Sequence, residues 1–120
     1  MRDFATLRVE GFDLSTKASE LWVDLGRFET ASVEVVADVT LTATLELVYG
    51  NAPKRGKSFS SAKTLTAANT IQDYIDFGST GCRLLGIKVT TAGAASEKCS
   101  VFVYAASGTG TGREERLQLL

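Results

Sequence analysis

Between Ser32 and Tyr49 every second position is apolar, and only Val36 and Val48 interrupt the polar character of the positions between. Val33, Val35, Ala37, Val39, Leu41, Ala43, Leu45, Leu47 and Tyr49 share one parity, while Ser32, Glu34, Asp38, Thr40, Thr42, Thr44 and Glu46 hold the other. Successive side chains of a β-strand point to opposite faces, so this pattern describes a ribbon buried on one side and wetted on the other. A helix would need apolar residues recurring at intervals of three and four, and no such stripe occurs ahead of the chain's last residues. The run is also too long for a single strand, whose usual length is about 5–6 residues. A bend, bulge or turn near "ADVT" (37–40) is therefore expected, dividing the run into two strands of a sandwich.

The remaining strand candidates are "FATLRVEG", "ELWVDLG", "KSFSSAKTL", "TIQDYIDFG", "RLLGIKVTT" and "EKCSVFVYAA", each bounded by turn-forming residues. Leu85, Ile87 and Val89 are expected to face inward. In "EKCSVFVYAA" Cys99, Val101 and Val103 take one side and Phe102 and Tyr104 the other, so this strand is expected to be covered on both faces. About eight short strands with no helix for crossovers define an all-β chain, an antiparallel β-sandwich of jelly-roll type. The sandwich is expected to occupy residues 1–106. Residues 107–120 would form an extended C-terminal arm, with "SGTGTG" as spacer and "REERLQLL" as anchor.

At 120 residues, 44% hydrophobic and 22% charged, the chain fits one packed domain. Its longest uncharged body segment, "VTLTATL", is far short of the about 20 apolar residues that span a bilayer. The segment after Met1 has no apolar signal core, which points to synthesis in a host cytoplasm. The absence of histidine and the presence of only two cysteines, Cys82 and Cys99, leave no metal or cofactor set and no base for a nucleophile. Asp73 and Asp76, three apart on a strand, point to opposite faces, against general acid–base or calcium chemistry. No enzyme activity and no cofactor are expected. If "RLLGIKVTT" and "EKCSVFVYAA" form a hairpin at "TAGAAS", Cys99 sits opposite a residue near Ile87, which argues against a Cys82–Cys99 disulfide.

Residues 1–50 carry nine acidic and four basic side chains, and residues 51–120 five acidic and nine basic, a weak pointer to self-association. Lys54, Arg55, Lys57 and Lys63 cluster beside Pro53 and Gly56 without an acid. The segment that follows reads as a strand, not the helix a phosphate-binding loop requires, so a solvated hairpin tip is expected and docking on an acidic protein comes second. Nucleic acid is disfavoured because aromatic residues are scarce there. At the carboxy end Arg113, Leu117 and Leu120 would share a face if helical, and Leu117 and Leu119 if extended. Either way the leucines need a partner surface. The candidate partner-binding residues are thus Leu117, Leu119, Leu120, Arg113, Lys54, Arg55 and Lys57.

Trp22, Asp24, Leu25 and Gly26, in that order, resemble the strand end of discoidin-like and other carbohydrate-binding jelly rolls. The similarity extends through "ATLELVYGN" and "IDFGSTGCRLLGIKVTT", covering about residues 20–105. Trp22 is expected to be a core anchor, with an exposed stacking platform as the alternative. In overall character, a small Ala/Thr/Val-rich sandwich with strand-like ends, the chain resembles bacteriophage virion auxiliary proteins of the capsid decoration (cement) type. That resemblance implies a structural role in the virion: a homo-oligomer, with a trimer favoured, bound to the major capsid protein or another virion protein. The alternatives are a phage tail or head-completion protein, or a glycan-binding module that stacks sugars on Tyr49, Tyr74, Tyr104 or Trp22. Burial of all four rings would remove the glycan reading, and an exposed pair beside carboxylates and amides would favour it.

Overall fold

The computed structural model describes residues 2–16, 20–52, 56–66, 71–76, 82–108 and 110–120, and the side chains of all of these except Ser61. Among the described residues ten strands follow one another: β1 (Phe4–Asp13), β2 (Glu20–Asp24), β3 (Thr30–Val36), β4 (Thr44–Gly50), β5 (Lys57–Thr64), β6 (Ile71–Asp76), β7 (Leu84–Thr91), β8 (Lys98–Ala106), β9 (Glu114–Arg116) and β10 (Gln118–Leu119). They form two five-stranded sheets, sheet I in the order β6-β3-β8-β1-β9 and sheet II in the order β10-β2-β7-β4-β5. All pairings are antiparallel except that of β9 with β1, which is parallel. The result is an all-β sandwich of mixed pairing.

The long alternating run divides as its length requires. Its first part is β3 in sheet I and its second is β4 in sheet II. Val33, Val35, Ala37, Leu41, Ala43, Leu45 and Leu47 keep their parity across the crossing and are all buried, whereas Val39, at the crossing itself, is exposed. They meet Leu85, Ile87 and Val89 of β7 and Val101, Val103 and Ala105 of β8 in one core between the sheets. At about 25 cal/mol per Å² of apolar surface removed from water, this shared core is the main term holding the sheets together.

Two expectations change. The segments β7 and β8 are not a hairpin, because they belong to opposite sheets and Cys99 sits across from Phe12 of β1 rather than near Ile87. No disulfide joins Cys82 and Cys99. The outer side of β8 is also open: Tyr104 is 46% exposed and Phe102 is partly exposed. Apolar residues on both parities signalled a strand central to its sheet, not one covered on both sides.

Trp22 is buried, but on the outer face of sheet II rather than between the sheets, where it clusters with Val48 and Leu84. It pairs across β2–β7 with Gly86, which in turn pairs with Val48 on β4. Without a side chain at Gly86 the indole lies flat on the sheet. A Cβ there would stand 2.9 Å from the ring carbons Cη2 and Cζ3. The indole Nε1 donates to Glu20 Oε2 at 2.8 Å. After Trp22 the strand ends as the "DLG" segment suggests: the Asp24 carboxylate accepts the Gly26 amide at 2.7 Å, and Gly26 adopts φ +55°, a left-handed conformation natural to glycine. The same carboxylate receives the Arg83 guanidinium at 3.1–3.2 Å, tying the turn to the start of β7.

Candidate functional site

The carboxy-terminal residues are woven into the domain. In β9, Glu114, Glu115 and Arg116 lie in parallel register with Phe4, Ala5 and Thr6 of β1. One residue later, Gln118 and Leu119 pair antiparallel with Asp24 and Val23 of β2. A single extended segment thus covers the edge of sheet I with its first half and the edge of sheet II with its second. Leu117, between the two, is buried in the shared core, its amide donating to Thr6 O at 3.3 Å. The Leu120 amide donates to Trp22 O at 2.9 Å.

Asp3 anchors the approach to this segment. It is buried, and its carboxylate accepts the backbone amides of Arg113 and Thr111, each at 2.9 Å, and the Arg27 guanidinium at 2.8 Å. The Arg113 amide, with help from Arg27 and the Thr111 amide, outweighs burial and holds its pKa down at about 2. The Asp3 backbone amide donates to Ser107 Oγ, and the Ser107 amide donates back to Asp3 O at 3.0 Å. Arg27 also bonds Glu115 of β9.

Of the residues the sequence nominated for partner contact, the structure brings together only those at the carboxy end. Leu117 is satisfied inside its own sandwich. Leu119 and Leu120 remain exposed, at 49% and 62%, on the outermost strand of sheet II. Arg113 is exposed and forms an ion pair with Glu115 at 3.5 Å. Lys57 is exposed at the start of β5, the opposite edge of the same sheet. Lys54 and Arg55 lie outside the described residues.

A second surface carries Tyr74 and Tyr104, two of the four rings named for sugar stacking. On the outer face of sheet I the register sets Tyr74, Ser32, Tyr104 and Thr6 in one row across β6, β3, β8 and β1, and Gln72, Glu34, Phe102 and Arg8 in the adjacent row. These rows hold a groove of about 250 Å³, lined among others by Ser32, Glu34, Gln72, Phe102 and Tyr104. Tyr104 stacks on Phe4 with ring centroids 5.7 Å apart and planes 21° apart, and the Arg8 guanidinium lies 5.5 Å above the Phe102 ring. Tyr74 is 59% exposed at the edge. The even parity of β3, β6 and β8 carried the signal: polar residues interleaved with aromatic ones. A third concavity, of about 650 Å³, lies where β1 runs past the end of β9 and is lined chiefly by charged residues, among them Arg8, Glu114 and Arg116.

Among the described residues no group of three or more His, Cys, Asp or Glu is placed to hold a metal. Asp73 and Asp76 sit on opposite faces of β6, Asp73 opposite Val33 and Asp76 opposite Thr30. Burial pushes the Cys99 thiol up to about 12, which leaves it protonated and unreactive. No helix among the described residues is long and apolar enough to cross a membrane.

No family model and no curated protein matches the sequence. Solved structures do match. The SPBc2 prophage-derived protein YomS superimposes with a TM-score of 0.60 at 13% identity, covering 89% of this chain and 96% of YomS. A chain from the structure titled "Bacillus endospore appendages form a novel family of disulfide-linked pili" matches with a TM-score of 0.49 at 11% identity, over 88% of this chain and 84% of that one. The similarity to YomS is one of fold alone.

Proposed function

We propose that the chain is a structural component of a bacteriophage particle, of the capsid decoration type, acting as a homo-oligomer on the surface of a capsid lattice. The observation that carries this reading is the end-to-end match to a prophage-derived protein of the same fold. The strand order supports it. Without β9 and β10 the sheets read β6-β3-β8-β1 and β2-β7-β4-β5, an order that fits the interleaved Greek keys of a jelly roll, an architecture recurrent in capsid proteins. The working surface is the edge of sheet II at β10, where Leu119 and Leu120 present apolar side chains. A trimer built through this edge, resting on the major capsid protein, fits a module whose own core has already taken up Leu117.

Light scattering on the full chain tests the assembly. The expected result is an oligomer that Leu119→Ser with Leu120→Ser reduces to a monomer without lowering the melting temperature, because neither side chain belongs to the core. A full chain that is monomeric at its highest soluble concentration, or a double variant that assembles as well as the parent, refutes the proposed edge. Co-sedimentation with assembled phage shells then tests the lattice contact, and absence of saturable binding refutes it.

A further inference from the structure

We infer that the outer face of sheet I is a saccharide-binding site, with a pyranose ring seated over Ser32 between Tyr104 and Tyr74. The argument begins with register. Both tyrosines pair directly with Ser32, one from each side, so they flank it at one strand spacing each, about 4.8 Å. Ser32 supplies a floor with a short hydroxyl, and the neighbouring row places the Gln72 amide and the Glu34 carboxylate beside it.

The ring faces and the polar groups are both available. No other described residue engages the side-chain polar atoms of Ser32, Glu34, Gln72, Tyr74 or Tyr104. Phe4 supports one side of the Tyr104 ring and fixes its tilt, so the platform is ordered before a ligand arrives. A pyranose matches this mixture. Its face of C–H bonds is weakly positive and meets the negative face of an aromatic ring, while its equatorial hydroxyls need the acceptors and donors that a carboxylate and an amide supply. The groove of about 250 Å³, lined among others by Ser32, Glu34, Gln72, Phe102 and Tyr104, suits one sugar ring, and Tyr74 stands just outside it on β6, where it flanks Ser32 from the sheet edge.

Other occupants fit less well. A peptide strand binds by pairing with a free sheet edge, but this row is centred on β3 and β8, which have strands on both sides, so no backbone groups are offered. A second copy of the chain would bury Glu34 and Arg8 in the middle of the contact, where interfaces are depleted of charge. The site stands apart from the β10 edge and does not depend on whether the chain assembles.

The test uses the full chain, isotope-labelled, titrated to millimolar concentration with soluble gluco-, galacto- and N-acetylglucosamine oligosaccharides and followed by amide NMR. The expected result is saturable shifts confined to Ser32, Glu34, Gln72, Tyr74, Phe102 and Tyr104 with at least one of these sugars, and none at Trp22 on the opposite sheet. Tyr74→Ala and Tyr104→Ala should each weaken binding about tenfold. Tyr74→Phe, which keeps the ring, should retain most of it. Three results would each overturn the inference. One is no shift on this face with any of the sugars. Another is binding undiminished in the Tyr74→Ala/Tyr104→Ala double variant with its fold intact. The last is shifts of these residues with protein concentration alone, which would mark the face as a self-contact.

Discussion

Replacing Gly86 by alanine should loosen the only tryptophan in the chain. The added Cβ would lie 2.8 Å from Val48 Cγ2 and 2.9 Å from Trp22 Cη2 and Cζ3. Carbon atoms rest at about 3.5–4.0 Å, so the indole and Val48 must withdraw by roughly 0.6–1.2 Å. Neither is free to do so. Val48 is β-branched and stiff at χ1, and the indole is tethered through Nε1 to Glu20. Overpacking of this kind costs about 1–3 kcal/mol, and the lower entropy of an unfolded alanine returns about 0.4–1 kcal/mol, leaving a net loss of up to about 2.6 kcal/mol, with about 1.3 kcal/mol at the middle of both ranges. For a domain of this size that lowers the melting temperature by roughly 3–10 °C. Thermal melts followed by circular dichroism, with tryptophan emission recorded in parallel, should show the lower midpoint together with a red shift as the ring gains water. Repeating the change in a Trp22→Leu background separates the cause, because a smaller side chain leaves room and Gly86→Ala should then cost less. A Gly86→Ala protein with parental midpoint and emission, or one equally destabilised in both backgrounds, would refute the close-packing account.

Three further outcomes follow from the carboxy-terminal segment and the thiols. Leu117→Ala should destabilise the fold by about 2–5 kcal/mol in urea titrations if the segment stays docked, whereas Leu119→Ala, which is exposed, should change it by no more than about 0.5 kcal/mol. The docking of the segment should fail in acid. Asp3 is held near pKa 2, below its ordinary value of 3.8, so its contribution is complete above about pH 4 and disappears as the pH falls toward 2. Hydrogen exchange of residues 113–120 at pH 6, 4 and 2 should show that loss, and Asp3→Asn should be faster-exchanging than the parent at pH 6, with a smaller further change on acidification. Cys99, buried with a raised pKa, should resist thiol reagents at pH 8 until urea unfolds the chain; rapid labelling of Cys99 in the native protein would contradict its placement against Phe12.

The parts of the fold that the sequence made readable are those governed by a local rule. Alternation at 33–47 survives because inward and outward faces differ in chemistry, and its break near Val39 follows from the length a strand can reach. Sheet membership obeys no such local rule. The segments β7 and β8 are joined by a short turn-rich stretch that suits a hairpin, yet the chain crosses there between sheets, with Gly93 N bonded to Leu14 O and Glu97 O accepting from Leu14 N. The carboxylate of Glu97 then clamps the amides of Thr42 and Ala43 from the other sheet's approach. Those partners lie more than fifty residues away, and nothing in "TAGAASEKCS" announces them.

The carboxy end shows the same limit from another direction. In "REERLQLL" the leucines at 117 and 119 share a strand parity, which suggests two residues facing one surface. The backbone leaves one sheet and joins the other at Leu117, which turns into the core, whereas Leu119 pairs with the core residue Val23 and is still half exposed because β10 is an edge strand of sheet II. Parity tells which face a side chain takes, and it does not tell whether another strand lies beyond it to cover that side chain. The same logic explains why the groove on sheet I was only half visible. Phe102 and Tyr104 were recognised as sharing a side of β8, but Ser32, Glu34, Gln72 and Tyr74 come from strands about thirty and seventy residues distant. Their common feature, aromatic rings alternating with uncommitted polar groups, becomes a surface only when β6, β3 and β8 lie side by side. A domain that uses its inward parity for stability and its outward parity for recognition can therefore change ligand without changing fold. The outward rows are the ones in which substitution costs the core least.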